Sequence, residues 1–316
     1  MNNAKKIDKK IDKKIACIGE GMVELTHRED GGMGLSYGGD TLNTAVYMSR
    51  LGLEVEYVTA LGDDPYSSKM MNAWQSEGVG TEFVIQAKGR MPGLYAIRTD
   101  DQGERSFYYW RDQAPARDLL GFPEFLPIGN RLLDMDFIYV SGITLSLYSE
   151  KDRATLFELL DGQRERGGKV MFDSNYRANR WRDIGEARET YSEMLKRVDL
   201  SLPTLDDDQL IFGDADGEAC CVRHHEMGVA EVVAKMGEEG CYVSKDGDGS
   251  IVPLLERRNA IDTTGAGDSF NAAFLAARLK GREPSDAASF AHVIAGEVIM
   301  HPGAIIPINA MPEVSL

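Results

Sequence analysis

Short apolar runs alternate with amphipathic stretches along most of the chain, beginning near residue 15. Such runs are typical of buried parallel strands, and the amphipathic stretches are typical of the helices that cover them. The pattern predicts strands at residues 15–18, 56–60, 137–140, 169–172, 200–202, 231–235 and 241–244. We therefore expect an α/β fold, with a mostly parallel central sheet flanked by helices.

One of the predicted helices has recognisable signals at both ends. Asp64 is suited to cap its N-terminus, and Pro65 is suited to its first turn. Gly78 is suited to the position just after its last residue. These signals predict a helix that starts at residue 65 and ends shortly before residue 78.

Two β-rich stretches, residues 20–36 and 92–111, interrupt the alternation of strands and helices. The second predicts a hairpin around residues 100–103, which read DDQG. Insertions in an open α/β sheet commonly lie near the carboxyl ends of the strands, where ligands bind. We expect a small β-sheet lid, although an edge extension without function would give the same pattern.

The predicted organisation is one domain over residues 15–316, preceded by a flexible lysine-rich tail at residues 1–14. The tail lacks the apolar run of a signal peptide, and no later stretch approaches the roughly 18 apolar residues of a membrane span. We expect a cytoplasmic protein.

The net charge of −16 disfavours broad binding to nucleic acid or to an anionic membrane, because both need clustered lysine and arginine. A small molecule is the favoured partner. An anionic one is still compatible with this charge, since a few arginines or a helix N-terminus can bind it locally.

Four cysteines are present, at positions 17, 220, 221 and 241. They form no Cys-x-x-Cys pair and no pattern with the histidines at metal-ligand spacing. We interpret them as buried thiols of a protein in a reducing compartment.

The most informative run is DTTGAGDSF at residues 262–270, followed by the helix-like NAAFLAA at 271–277. Gly265, Ala266 and Gly267 have little or no side chain, so backbone N–H groups at this helix N-terminus can approach an oxyanion. Asp268 would lie in the first turn and accept a proton from an attacking hydroxyl. From these residues alone, a capping aspartate beside a glycine turn is also possible.

A second run, GGDTLNTAV, occupies residues 38–46 and is followed by RLG at 50–52 and TALGDD at 59–64. Gly38 and Gly39 allow a sugar to lie against the backbone. Asp40 and Asn43 offer hydrogen bonds to hydroxyl groups. The alternative is a glycine turn capped by Asp40.

Both runs resemble, in the same order, the two signatures of the PfkB or ribokinase-like sugar kinases. The resemblance covers residues 14–312 approximately and implies a ribokinase-like fold, ATP and Mg²⁺ as cofactors, and Asp268 as the base. It implies an anion hole at Gly265, Ala266 and Gly267. It further implies substrate-binding positions at Gly38, Gly39, Asp40, Thr41, Leu42, Asn43 and Asp268, and ATP-binding positions at Asn175, Lys235, Gly237, Glu238, Gly240, Gly265 and Gly267.

The family often has an Asn-x-x-Glu motif that helps to arrange magnesium, and the matching place here contains TLDD at residues 204–207. This departure puts the metal contact in question. Asp207 can still act on Mg²⁺ through water, because Mg²⁺ commonly keeps several waters. A helix-capping role for Thr204 and Asp207 is the alternative.

Five stretches look closest to family members that act on a 2-keto-3-deoxy sugar acid: GGDTLN at 38–43, PGLY at 92–95, FYYWR at 107–111, FDSNYR at 172–177 and GAIIP at 303–307. A sugar acid has a carboxylate that needs a cation, and Arg111 and Arg177 are the candidates. Tyr95 and Tyr109 would supply a hydroxyl and a wall. Strand packing and surface ion pairs are the alternatives for these side chains.

The resemblance thus implies ATP-dependent phosphorylation of 2-keto-3-deoxygluconate at its 6-hydroxyl. Another sugar kinase of the family, acting on fructose or on the galactonate epimer, is the first alternative, and a non-catalytic sugar or nucleotide sensor is a remote one. A Rossmann dehydrogenase is disfavoured because no Gly-x-Gly-x-x-Gly follows the first strand. The family also implies a homo-oligomer, a dimer or higher.

Overall fold

The computed structural model describes residues 13–27, 31–99 and 105–313. The strands in this part of the chain are β1 (Lys14–Ile18), β2 (Met22–His27), β3 (Met33–Gly38), β4 (Glu54–Gly62), β5 (Val84–Ala87), β6 (Gly93–Thr99), β7 (Arg105–Trp110), β8 (Phe137–Ser141), β9 (Lys169–Asp173), β10 (Leu200–Ser201), β11 (Glu231–Lys235), β12 (Cys241–Lys245) and β13 (Asp248–Val252). The helices are α1 (Asp40–Arg50), α2 (Pro65–Ser76), α3 (Phe125–Leu132), α4 (Gly142–Leu147), α5 (Glu150–Glu165), α6 (Ile184–Leu195), α7 (Leu205–Phe212), α8 (Gly217–Glu226), α9 (Ala266–Leu279) and α10 (Pro284–Val298).

Within the described residues the main sheet has nine strands, in the order β13-β12-β11-β10-β9-β8-β1-β4-β5. The pairs from β11 to β5 are parallel, and β12 and β13 are antiparallel additions at one edge. The predicted α/β class and every predicted strand are confirmed. The sequence pattern missed β5, which is only four residues long, and β13, which is exposed at all but one position.

The hydrophobic core lies on both faces of this sheet. Ile15 and Cys17 of β1 pack into one cluster with α1, α9 and α10, whereas Ala16 and Ile18 pack into the opposite cluster with α5, α6 and α8. Successive side chains of a strand point to opposite faces, so a strand covered on both sides is apolar throughout. All four cysteines are buried and free, as predicted.

The helix α2 has the predicted ends. The Asp64 carboxylate accepts hydrogen bonds from the backbone N–H groups of Tyr66 and Ser67, at 2.8 and 3.2 Å. Pro65 is its first residue, and Gly78 follows its end with a φ of +80°. Among the described residues, no helix is both long and apolar enough to cross a membrane.

A second sheet, here called the small sheet, has the order β3-β2-β6-β7. It corresponds to the two predicted β-rich stretches, although β3 extends to Gly38. β6 and β7 pair antiparallel as predicted, and the residues proposed for their turn lie outside the described ranges. Most of the predicted tail also lies outside them, while Lys14 is the first residue of β1.

Candidate active site

The loop before α9 is held in one conformation by its own residues. Gly265 has a φ of +78°, and a Cβ at this position would lie 2.5 Å from the Ala304 carbonyl oxygen. Asp262 accepts hydrogen bonds from the Thr264 N–H at 3.0 Å and from the N–H of Gly303. The loop therefore needs glycine at position 265 and is anchored to the segment after α10.

Asp268 is the third residue of α9 and is buried. It does not act as the cap. Its Oδ2 accepts a hydrogen bond from Asn43 Nδ2 of α1 at 2.8 Å. Burial and, to a smaller extent, the charge of the nearby Asp40 carboxylate together raise the pKa of Asp268 to about 8, while the Asn43 hydrogen bond opposes the rise. The carboxyl therefore titrates near the pH at which a general base is most effective.

Asp40 is the first residue of α1, and the cap position belongs to Gly39. Gly39 has a φ of +145°, and a Cβ there would lie 2.2 Å from the Glu20 carbonyl oxygen. The Asp40 carboxylate accepts a hydrogen bond from Asn175 Nδ2 at 2.9 Å, and burial raises the pKa of Asp40. The structure thus brings the predicted sugar-binding turn and Asp268 to the same carboxyl edge of the sheet.

Lys235, at the end of β11, lies in a buried polar network beside α9. Its Nζ donates to Asp173 Oδ1 at 3.1 Å and to Asn271 Oδ1 at 3.0 Å, and Asn271 Nδ2 donates to Asp173 Oδ2 at 2.8 Å. A Cβ at Gly267 would lie 3.7 Å from the Lys235 ammonium. A positive charge is therefore fixed next to the predicted anion hole.

Asp173 and Asn271 were not predicted as site residues, although both lie within the motifs quoted above. Asp173 ends β9 and Asn271 lies on α9. Neither motif alone indicates that the two side chains hold one lysine, because that contact joins three separate segments.

The structure differs from the predicted anion hole in one detail. The N–H of Ala266 donates to the Thr263 carbonyl at 3.2 Å and is therefore engaged within the loop. Helix geometry leaves the first N–H groups without a carbonyl partner inside the helix. This geometry leaves the N–H groups of Gly267 and Asp268 for an oxyanion, and the predicted contact of the Gly265 N–H with an oxyanion stays a prediction.

Two predicted substrate positions belong to the core instead. Thr41 and Leu42 are fully buried on α1. The Thr41 hydroxyl lies 3.0 Å from the hydroxyl of Tyr57, and Leu42 packs in the hydrophobic cluster around α1. Their side chains cannot reach a sugar without unpacking the helix, so we assign both to packing.

Gly237, Glu238 and Gly240 lie in the turn between β11 and β12, next in sequence to Lys235. Both glycines have positive φ values. The Glu238 side chain is exposed and lies 3.9 Å from Arg257. This turn lies on the Lys235 side of the site, and its contact with ATP stays a prediction.

The predicted sugar-acid residues divide into two groups. Arg111 is buried and forms an ion pair with Glu20. Tyr95 is buried and donates its hydroxyl to Glu24, and burial raises the pKa of Tyr95. Tyr109 is exposed, and its ring centre lies 5.8 Å from the Arg111 guanidinium. These side chains lie together at the small sheet.

Arg177 belongs to the other group. It is exposed, and its guanidinium donates to the carbonyl of its neighbour Tyr176 at 2.7 Å. Asp207 Oδ2 accepts the Tyr176 N–H at 3.0 Å, and burial raises the pKa of Asp207 to about 6, a rise that Arg177 opposes. Thr204 makes no side-chain cap to α7, so the capping alternative is not supported there.

One cluster outside this site has metal-ligand chemistry. Asp208, Cys220 and His224 are buried with their potential ligand atoms within 4.8 Å of one another. Arg223 donates to the same Asp208 oxygen at 2.5 Å and His224 contacts it at 2.7 Å. A cationic side chain already occupies this carboxylate, so we interpret the cluster as a structural ion pair.

Known carbohydrate kinases are similar to this chain over almost its whole length. The family model described as pfkB family carbohydrate kinase matches residues 12–311. The 2-dehydro-3-deoxygluconokinase of Dickeya dadantii is 45% identical over 95% of this chain and 99% of its own, and the enzyme of that name from Escherichia coli K12 is 44% identical over 96% and 100%. A putative ribokinase II from E. coli, solved in complex with ATP and Mg²⁺, has a TM-score of 0.83 at 22% identity, over 95% of this chain and 96% of its own.

Proposed function

Because the chain belongs to the pfkB family of carbohydrate kinases, we propose that it phosphorylates the sugar acid named by its close relatives. The reaction transfers the γ-phosphoryl group of ATP to the 6-hydroxyl of 2-keto-3-deoxygluconate and gives 2-keto-3-deoxy-6-phosphogluconate. The main support is the identity of 45% over almost the full length of both chains.

Phosphoryl transfer is the chemistry that the geometry supports. Asp268 is buried at the start of α9, next to Asn43. As the 6-hydroxyl attacks, Asp268 accepts its proton. The Lys235 ammonium and the N–H groups of Gly267 and Asp268 stabilise the negative charge on the transferring group.

A magnesium ion suits the carboxylate of Asp207, on the side of the site where we place the phosphates of ATP. Asp207 uses Oδ2 for the Tyr176 N–H, and its raised pKa, about 6, is the sign of a buried carboxyl near other charges, Asp173 among them. A bound cation would favour its ionised form. Asp207 would hold Mg²⁺ through water, and the ion would neutralise charge on the phosphates of ATP.

The small sheet suits a lid that keeps water from the transferring phosphoryl group. Its edge strand β7 exposes Phe107, Tyr108, Tyr109 and Trp110. An exposed aromatic edge of this kind also suits pairing with a second copy of the chain, so we propose a homo-oligomer joined through β7. The four buried free thiols suit a cytoplasmic enzyme.

The substrate is tested by measuring ADP release from Mg-ATP by the purified protein. The panel contains 2-keto-3-deoxygluconate, its galactonate epimer, gluconate, fructose, ribose and adenosine. We expect a strong preference for the first compound. Activity on a neutral sugar only would keep the kinase assignment and overturn the substrate, whereas a lack of turnover with every compound would favour a sensor.

A further inference from the structure

Asn271 lies on the same face of α9 as the groups proposed for phosphoryl transfer. It comes three residues after Asp268 and four after Gly267, and residues at these spacings are neighbours on a helix surface. Helix side chains lean toward the N-terminus, which is the end where the anion hole lies. The Asn271 side chain is fully buried, and a buried amide needs hydrogen-bond partners.

The oxygen and both N–H groups of the Asn271 amide have partners on three different strands. Its Oδ1 accepts from Lys235 Nζ of β11 at 3.0 Å. Its Nδ2 donates to Asp173 Oδ2 of β9 at 2.8 Å and to the Tyr139 hydroxyl of β8 at 3.0 Å. Turning the amide over would place its NH₂ group against an ammonium and its oxygen against a carboxylate. The amide is therefore held in one orientation, with its oxygen toward the lysine.

This arrangement leaves one N–H group of Lys235 for a ligand. An ammonium group has three N–H donors. In the described part of the chain, Lys235 uses one on Asp173 Oδ1, at 3.1 Å, and one on the neutral oxygen of Asn271. Lys235 is only 9% exposed, so water replaces the third partner poorly. A Cβ at Gly267 would lie 3.7 Å from the same nitrogen, which places the remaining N–H at the anion hole.

We propose that Asn271 is a positioning residue for phosphoryl transfer. It takes the second N–H of Lys235 without adding negative charge, and so directs the third N–H to the phosphoryl group bound at Gly267. A second carboxylate in its place would keep the lysine buried but would cancel its charge. The neutral amide leaves that charge to stabilise the transferring group. This inference rests on the proposed function and adds the side chain that makes Lys235 effective in it.

The first test is Asn271→Asp, which keeps the size of the side chain and gives Lys235 two carboxylates. We expect kcat to fall about 30-fold, whereas KM for the sugar acid and Kd for Mg-ADP, which lacks the transferring group, should change less than about threefold. ADP release and calorimetry measure these quantities. The matched control is Asn72→Asp, the same change at an exposed position of α2, and it should leave kcat unaltered.

The new carboxylate also lies one turn from Asp268, and a pH profile separates the two effects. The pKa of Asp268 is about 8 in the wild type. A loss that acted only through this base would shift the profile of kcat/KM and shrink as the pH rises. A loss that acts through Lys235 does not depend on that titration, so we expect the deficit to stay at about 30-fold at pH 9.5.

The second test combines Asp173→Asn with Asn271→Asp. The exchange returns one amide and one carboxylate to Lys235, so kcat should recover to within about fivefold of the wild type. Melting temperatures are the control for folding, and the double variant decides if Asn271→Asp alone does not fold.

Three results would overturn the inference: a folded Asn271→Asp protein with wild-type kcat, a deficit that disappears at pH 9.5, or a double variant no more active than the single one. A wild type that is inactive on every sugar and sugar acid would overturn the proposed function, independently of the variants.

Discussion

The proposed catalytic floor, formed by Asp268, Asn43, Lys235, Asp173 and Asn271, and the small sheet beside it are built in opposite ways. The floor is buried, and each of its side chains has a hydrogen-bond partner on another segment. The aromatic side chains of β7 are instead exposed. A preorganised buried floor suits chemistry that depends on fixed charges, and an exposed sheet suits binding that adapts to a ligand. Changes in the floor should therefore affect kcat, and changes in the small sheet should affect KM.

The largest expected effect is that of Asp268→Asn. The amide keeps the shape but cannot accept the proton, so kcat should fall about 1,000-fold while the Kd for the sugar acid changes less than about threefold. ADP release and calorimetry measure the two quantities. The matched control is Asp286→Asn, because Asp286 is exposed and is also the third residue of its helix. Near-normal turnover in Asp268→Asn would contradict its assignment as the base.

The same variant should be more stable than the wild type at alkaline pH. The folded protein keeps the Asp268 proton up to about pH 8, whereas an unfolded chain loses it near pH 4. The folded state binds more protons over this window, so stability falls as pH rises through it. Asp268→Asn removes that cost, and its melting temperature at pH 8 should be about 3 °C higher. A lower melting temperature would contradict the raised pKa.

A smaller loss is expected for Lys235→Met. The variant removes the ammonium beside Gly267 and leaves Asp173 buried with Asn271 as its remaining partner. We expect kcat/KM for ATP to fall about 100-fold and the protein to become less stable. Lys245→Met, at the exposed end of β12, is the control. Equal values for the two variants would show that Lys235 has only a structural role.

A smaller effect is expected from pH on kcat/KM for the sugar acid, and this effect should come from the titration of Asp268 in the floor. Because the pKa of Asp268 is about 8 in the free protein, kcat/KM for the sugar acid should rise about tenfold between pH 7 and pH 9. The Asp40 charge raises that pKa, so in Asp40→Asn the rise should occur at lower pH, whatever the absolute activity. A pH profile that does not shift in Asp40→Asn would show that the charge of Asp40 does not raise the pKa of the base.

The smallest effect is expected in the small sheet. Tyr109→Ala removes a ring next to Arg111 and Tyr95, and KM for the sugar acid should rise about threefold with kcat unchanged. Trp110→Ala, next to it on the opposite face of β7, should leave KM unaltered. A large fall in kcat for Tyr109→Ala would remove the distinction between the floor and the small sheet.

The amino-acid sequence alone was sufficient to predict the α/β class, the strands of the main sheet other than β5 and β13, the ends of α2 and the two motifs that lie at the site. Strand burial, helix capping and glycine loops are local properties, because they depend on residues within a few positions of one another. The resemblance to a known family added the fold and the chemistry, since both motifs are long and occur in the expected order.

Only the tertiary structure decided which side chains meet. Asn43 reaches Asp268 across 225 positions, and Arg111 reaches Glu20 across 91. It also separated the two predicted arginines, since Arg111 is buried in an ion pair with Glu20 while Arg177 bonds its neighbouring carbonyl. The physical reason is that hydrogen bonds and charges act over a few ångströms in space, so a partner distant in sequence is set by how strands and helices pack.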